Sequence, residues 1–96
     1  MYFRAPFRMR WMQRQLLRSS GSVAANYLEA QEALSRKDFF YRIKVCKKEA
    51  RESGLWLRLL HVSPGVGMTE RESLSREAEE LKLIFAAIAK KDDTVG

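Results

Sequence analysis

Apolar and small side chains recur along this chain at alternating intervals of three and four residues, which is the repeat of an α-helix that buries one face. The repeat runs through three stretches, which are separated at Leu34-Ser35 and at residues 61–68. We therefore predict helices over about 7–33, 36–61 and 69–91, followed by a frayed tail at 92–96. The repeating positions are, in chain order, Met12, Leu16, Ser19, Val23, Asn26 and Ala30; Phe39, Ile43, Cys46, Ala50, Ser53, Leu57 and Leu60; and Leu74, Ala78, Leu81, Phe85 and Ile88.

Three amphipathic helices with short links form an antiparallel up-down bundle, so we predict a single all-α domain over residues 1–96. No strand pattern competes with this interpretation, because the alternating stretches are short and no Asn-Gly or Asp-Gly turn joins them. The residues that we expect in the core are Phe39, Ile43, Ala50, Leu57, Leu60, Leu81 and Phe85.

Local signals mark two helix starts and one weak point. Ser35 stands three residues before Asp38, which resembles a capping box with Asp in place of Glu. Thr69 is the expected N-cap of the third helix. Gly21 lies inside the first helix, where glycine costs roughly 1 kcal/mol relative to alanine. We expect a close contact with another helix at Gly21 to offset this cost.

Polar side chains on the first helix share the face that leucine normally occupies. Their spacings of three, four and seven residues place them on one side of the helix. We predict that they form a hydrogen-bonded network that fixes helix register, as polar seam residues do in coiled coils. A ligand- or partner-binding patch on the same face is the alternative. The network residues are Ser19, Ser22, Asn26 and Glu29.

Basic residues are the candidates for binding. The chain has 96 residues and a net charge of +6, and the first 28 residues carry five arginines and no acid. On the second helix, four basic residues are spaced seven, four and three apart and form one aligned row. Such a surface can bind phosphate with release of counterions, or it can be a solvated basic face with no ligand. The predicted phosphate contacts are Arg14, Arg18, Lys37, Lys44, Lys48 and Arg51.

Candidates for catalysis are scarce, and we expect no enzyme activity, no metal site, no cofactor and no small-molecule substrate. His61 is the one histidine and Cys46 the one cysteine. About 22 Å of helix separates these two residues, so they cannot pair within one subunit. Gly65-Val66-Gly67 lacks the glycine and lysine of a nucleotide loop. One cysteine and no long apolar run indicate a cytoplasmic protein.

The stretch from Gln15 to Leu60 carries a long, ordered and ungapped pattern. In this pattern the chain resembles the four-helix-bundle family associated with intervening sequences in bacterial large-subunit ribosomal RNA genes. That family is related to the accessory variability determinant of diversity-generating retroelements, which assists reverse transcription. The resemblance implies a ring-forming homo-oligomer, commonly a pentamer. Its segments are Gln15-Leu16-Leu17-Arg18-Ser19, Ser22-Val23-x-Ala25-Asn26, Glu29-Ala30, Ser35, Lys37-Asp38-Phe39, Lys48-Glu49-Ala50-Arg51-Glu52 and Trp56-Leu57-Arg58-Leu59-Leu60.

Members of that family usually carry a further amphipathic helix before this pattern, whereas 14 arginine-rich residues precede Gln15 here. Either the reading-frame start is misplaced, or this is a shortened member in which another subunit fills the vacant groove. A bundle that lacks one helix exposes an apolar stripe. At about 25 cal/mol per Å2, several hundred Å2 of such surface corresponds to on the order of 10 kcal/mol. We therefore expect the isolated chain to associate or to be marginally folded.

These observations favour a non-enzymatic, oligomeric helical-bundle adaptor that binds RNA or a nucleoprotein partner through basic faces. The alternative is a protein–protein assembly scaffold that binds no nucleic acid and whose basic surface only balances charge. A third possibility is attachment to a membrane surface through Met1–Met12, where aromatic residues could insert while arginines meet lipid headgroups. Of these three functions, membrane attachment is the one that we expect least.

Overall fold

The computed structural model of the chain describes residues 7–61 and 68–94. Within these residues the chain forms three α-helices and no strand: α1 (Phe7–Gln31), α2 (Arg36–His61) and α3 (Met68–Thr94). The predicted all-α fold is therefore confirmed. Predictions that concern residues 1–6, 62–67, 95 and 96, or the side chains of His61 and Thr69, lie outside the described part of the chain.

The bounds of the helices differ slightly from the predicted ones. The α1 helix ends at residue 31 rather than 33, because the Ala33 N–H donates to the Ala30 carbonyl at 3.2 Å. This bond spans three residues, and such a tightened turn commonly closes a helix. The α3 helix begins one residue before Thr69 and continues to Thr94. Residues 92–94, predicted as part of a frayed tail, are therefore helical.

The start of α2 follows the predicted chemistry. The Ser35 hydroxyl accepts a hydrogen bond from the Asp38 backbone N–H at 3.1 Å. This bond satisfies one of the backbone donors that a helix leaves without an internal partner in its first turn. Ser35 is therefore the N-cap of α2, as its position before Asp38 predicts.

The α1 and α2 helices are antiparallel neighbours. Near the middle of both helices, the hydroxyls of Ser19 and Ser53 are 2.8 Å apart. Closer to the link between the helices, Arg42 Nη1 donates to Asn26 Oδ1 at 2.9 Å. Residue numbers on α2 thus fall as those on α1 rise, which is the up-down arrangement that a short link favours.

The α3 helix packs against α2 on its other side. Lys44 Nζ lies 3.0 Å from Asp92 Oδ2, so the start of α2 meets the end of α3. Among the described residues, no Cα atom of α1 comes within 8 Å of a Cα atom of α3. Side chains alone cross this gap, and the rings of Tyr27 and Phe85 are 6.2 Å apart between centroids. The α2 helix is therefore the centre of the bundle.

The core lies where all three helices meet. Its buried cluster consists of Ala30, Ile43, Cys46, Ala50, Phe85 and Ala89, and Val23, Phe39 and Ile88 pack against it. Leu57 and Leu60 are also buried, as predicted. The prediction for Leu81 is wrong, because its side chain is 41% exposed. Leu81 faces the gap between α1 and α3, where none of the three described helices covers it.

The two glycines in the helices have different surroundings. A Cβ atom at Gly21 would meet nothing within 4 Å, so the close helix contact expected there is absent. Gly54 is the glycine at a helix crossing, where a Cβ atom would lie 3.8 Å from the Cβ of Ala78 and 3.5 Å from Arg58 Nη1. A Cβ atom at Gly54 would thus make ordinary contacts, whereas a larger side chain there would meet Ala78 of α3.

Leucine at these two glycines should have opposite effects on stability. Gly21→Leu should raise the free energy of unfolding by up to about 1 kcal/mol, because leucine has the higher helix propensity and the site is open. Gly54→Leu should lower it by about 1–3 kcal/mol, because the new atoms would push α3 away from α2. Urea unfolding at one fixed protein concentration measures both changes. If both substitutions change the free energy of unfolding equally, α2 and α3 do not cross at Gly54.

Candidate nucleic-acid interface

The solvent face of α2 carries a concentrated set of basic side chains. An α-helix completes one turn every 3.6 residues, and at their spacings these side chains fall within about one third of the circumference of α2. They lie to one side of the buried face formed by Ile43, Cys46 and Ala50, and the helical repeat places Lys47, four residues after Ile43, next to that face. From residue 37 to residue 58 the set extends about 31 Å along the helix axis. All of its members are exposed, and together they form what we term the basic stripe: Lys37, Lys44, Lys47, Lys48, Arg51 and Arg58.

Carboxylates compensate little of this charge. The acids of α2 are Asp38, Glu49 and Glu52. The helical repeat places Asp38 and Glu49 away from the basic stripe, whereas Glu52, one turn after Lys48, borders it and is bound by Arg18 of α1. Among the described residues, Lys44 is the one member of the stripe that makes an ion pair, with Asp92 of α3. The other five cations face solvent without a carboxylate partner in that part of the chain, so their charge is available to an anionic ligand.

The two predicted α1 contacts differ in their surroundings. Arg14 is exposed and makes no ion pair with the described residues. Arg18, one turn later, donates to Glu49 Oε2 at 3.4 Å and also to Glu52 Oε1. Glu49 is buried, so Arg18 neutralises a charge that burial would otherwise disfavour. Arg18 therefore joins α1 to α2, and less of its charge remains for a phosphate.

An exposed aromatic ring accompanies the basic stripe. Tyr41 is 60% exposed and lies one turn after Lys37, and the guanidinium carbon of Arg42 is 5.5 Å from its ring centroid. Exposed aromatic rings beside cations are suited to stacking on nucleic-acid bases. Sequence reasoning missed Tyr41 and Arg58, and it counted Lys47 among the basic residues of the second helix but left it out of the aligned row. It followed one row of residues, whereas the exposed face is several residues wide. The helical repeat of the known basic positions could have found them.

The predicted polar residues of α1 divide into two groups. The Ser19 hydroxyl contacts the Ser53 hydroxyl in a fully buried position. Either oxygen can donate this bond, and the other can then donate to a carbonyl of its own helix, that of Leu16 at 3.2 Å or of Glu49 at 3.0 Å. Both hydroxyls are thereby satisfied without water, and they fix the axial position of α1 on α2.

The second group lies one to two turns further along α1. Asn26 Nδ2 donates to Ser22 Oγ at 3.1 Å and to the Ser22 carbonyl at 2.9 Å, while Asn26 Oδ1 accepts from Arg42. Glu29 is exposed, and its side chain makes no hydrogen bond or ion pair with the described residues. The structure thus brings Ser22 and Asn26 together, connects Ser19 to α2 instead, and leaves Glu29 outside both groups.

Cys46 has the environment of a structural residue. Its thiol is fully buried, and Sγ donates to the Val23 carbonyl at 3.5 Å. Burial raises the pKa of the Cys46 thiol above its usual value, partly offset by a backbone hydrogen bond, so the thiol is protonated at neutral pH. Among the described residues, no three His, Cys, Asp or Glu side chains lie close enough together to hold a metal ion.

The apolar residues at the start of α1 pack against the protein. Met9 is buried, and the ring of Trp11 meets that of Trp56 edge to face, with centroids 5.2 Å apart. Phe7 remains largely exposed. None of the described helices combines the length and the apolar character that crossing a lipid bilayer requires.

Comparison with known proteins identifies related sequences and structures. Residues 4–87 match the model of a family described as 23S rRNA-intervening sequence protein. A crystal structure from Bacteroides thetaiotaomicron, of a protein of unknown function from the S23 ribosomal protein family, is 35% identical and superposes with a TM-score of 0.77. The alignment covers 82% of this chain and 73% of that one. No curated protein matches the chain significantly.

The buried pair of hydroxyls gives a prediction about stability. Ser19→Ala and Ser53→Ala should each lower the free energy of unfolding, by about 1–2 kcal/mol, because each leaves the other hydroxyl without its partner across the helices. The double variant should lose less than the sum, with a coupling of about 1 kcal/mol. Ser73→Ala, at an exposed position of α3, is the control and should change stability by less than about 0.5 kcal/mol. Additive losses in urea unfolding would show that the two hydroxyls do not interact.

Proposed function

This chain belongs to the 23S rRNA-intervening sequence protein family, and from that premise we propose that it is a non-enzymatic adaptor that binds RNA, or a nucleoprotein that contains RNA, through the basic stripe of α2. The observation that carries the proposal is the exposed row of cations on one helix face, with no carboxylate among them. The cytoplasm is the compartment in which we place this activity.

The length and the charge of the stripe suit a nucleic-acid backbone. Cations distributed along about 31 Å of helix can contact several consecutive phosphates. Each phosphate that is neutralised releases condensed counterions, and this release favours binding at moderate salt. A rigid helix holds the charges in place before binding, so little ordering of the backbone accompanies association.

The predicted binding residues differ in how much of their charge is free for a phosphate. Lys48 and Arg51 lie at the middle of the stripe and have no ion pair with a described residue. Lys37 is similar and lies beside Tyr41, which can stack on an unpaired base. Lys44 must share its charge with Asp92. We therefore assign the main phosphate contacts to Lys37, Lys48 and Arg51, and a smaller contribution to Lys44.

The α1 arginines extend the proposed surface unequally. Arg14 is exposed and available, so it can contact a phosphate beyond the edge of α2. Arg18 holds Glu49 and Glu52, and a phosphate would have to compete with both carboxylates for its guanidinium group. The principal role that we give Arg18 is to stabilise the contact between α1 and α2.

The absence of catalytic activity is part of the proposal. The Cys46 thiol is buried and protonated, so it lacks the exposed thiolate that a nucleophilic cysteine requires. A function through binding alone also agrees with a candidate site that consists of a convex helix face. Binding of macromolecules suits such a face, whereas small-molecule substrates normally occupy a concave pocket.

A protein–protein scaffold without nucleic-acid binding remains the second candidate. The observation that favours it is the apolar groove between α1 and α3, which offers a surface for another helix. The two functions make different demands on the basic stripe. Only the RNA adaptor needs those charges for binding, so variants of the stripe separate the two.

Neutralising the middle of the stripe should weaken RNA binding while the fold persists. For Lys48→Gln with Arg51→Gln, we expect the Kd for a fluorescein-labelled RNA stem–loop to rise roughly tenfold or more. The slope of log Kd against log salt concentration should fall by about 1.4–1.8, because two phosphate contacts are lost. Fluorescence anisotropy at several salt concentrations measures both quantities, and circular dichroism checks the helix content.

A matched variant tests whether the position of the charges matters. Arg76→Gln with Lys90→Gln removes the same charge from exposed positions of α3 and should leave the Kd nearly unchanged. If the two double variants bind equally well, the stripe is not the binding surface. If the unmodified chain binds no RNA at low salt, the scaffold is the better account.

A further inference from the structure

An exposed tyrosine, Tyr41, stands among the cations of the basic stripe. It lies four residues after Lys37, three before Lys44 and seven before Lys48, and these spacings place all four side chains on one face of α2. Cations therefore flank the ring on both sides along the helix axis. Because Tyr41 is largely exposed, a ligand whose phosphates meet the lysines can also reach the ring.

Contacts within the fold hold this ring in place. The guanidinium group of Arg42 lies over one face of the Tyr41 ring. The same guanidinium donates to Asn26 Oδ1 of α1, and Asn26 in turn donates to Ser22 Oγ. Arg42 is thus tied to α1 and covers one face of the ring, while the exposure of Tyr41 leaves the other face open to a base. A ring that is held before binding loses little conformational freedom on stacking.

We infer that Tyr41 stacks on an unpaired base, and that the basic stripe therefore selects single-stranded RNA, such as a loop or a bulge, over duplex RNA. This inference rests on the proposed function and names the class of RNA that the same surface binds. In a duplex the bases are paired and stacked on their neighbours, so a duplex offers phosphates to the lysines but no free base to Tyr41. Aromatic rings set among cations are typical of surfaces that bind single strands.

The charges of the stripe by themselves predict the opposite preference. A duplex has the higher density of phosphate charge, and each contact with it releases more counterions than a contact with a single strand. Cations alone should therefore bind duplex RNA at least as tightly as single-stranded RNA. A preference for the single strand requires a contact that charge does not supply, and stacking on Tyr41 is such a contact.

Fluorescence anisotropy of the full chain with two RNA probes tests this inference. One probe is a labelled strand of about twelve nucleotides without self-complementarity, and the other is the same strand annealed to its complement. The unmodified chain should bind the single strand more tightly. Tyr41→Ala should raise the single-strand Kd about fivefold or more and change the duplex Kd by less than about twofold.

Two further substitutions separate stacking from simple apolar contact. Tyr41→Phe keeps the aromatic ring and should retain the single-strand affinity. Tyr41→Leu keeps an apolar side chain without a π-face, so it should bind the single strand as weakly as Tyr41→Ala. Phe7→Ala is the matched control, because it removes an exposed ring from the opposite end of the bundle, and it should change neither Kd. Circular dichroism checks that each variant keeps its helix content.

Three results would overturn the inference while RNA binding by the stripe stands. They are tighter binding of the duplex by the unmodified chain, a Tyr41→Ala variant that weakens both probes equally or neither, and a Tyr41→Leu variant that binds the single strand as tightly as Tyr41→Phe. Failure of the proposed function gives a different result. The unmodified chain would then bind neither probe, or Lys48→Gln with Arg51→Gln would leave both Kd values unchanged, and the inference would fall with it.

Discussion

The close fit of α2 between α1 and α3 is the constraint on which the rest of the structure depends. Small or polar residues hold the contact positions on both sides: Ser53 and Cys46 toward α1, and Gly54 toward α3. Since no Cα atom of α1 comes within 8 Å of one of α3 among the described residues, these two helices meet through side chains only, and both pack closely on α2. The buried Ser19–Ser53 pair then sets the axial position, which a purely apolar seam would leave less defined.

The fold was largely predictable, because the alternation of apolar positions and the Ser35 cap are local properties of the sequence. The errors concern tertiary placement. Leu81 fits the helical repeat, but burial also requires a helix on the other side of the gap, which no periodicity reveals. For the same reason the helix crossing predicted at Gly21 was wrong. Glycine allows another helix to come close, but it does not show that a helix is there.

The helix that carries the candidate site was predictable from the sequence, whereas the ion pairs that its residues form were not. Spacing on α2 found four members of the basic stripe, whereas the wider face that adds Lys47 and Arg58 emerges once the buried side of α2 is known. Spacing could not show that Arg18 and Lys44 are held by Glu49, Glu52 and Asp92, because those contacts join different helices. Charged residues predicted from one helix therefore divide, in the folded chain, into those that stabilise it and those that face solvent.

Two faces of α2 thus have separate tasks: its buried face organises the bundle and forms the base of the groove, and an exposed face beside it presents the cations. Ultraviolet cross-linking of the full chain to RNA, followed by mass spectrometry of the linked peptides, tests this division most directly. The account predicts cross-links within residues 37–58, with Tyr41 prominent as the exposed aromatic residue of the stripe. Cross-links confined to α3 or to the groove residues, or none at low salt, would contradict it.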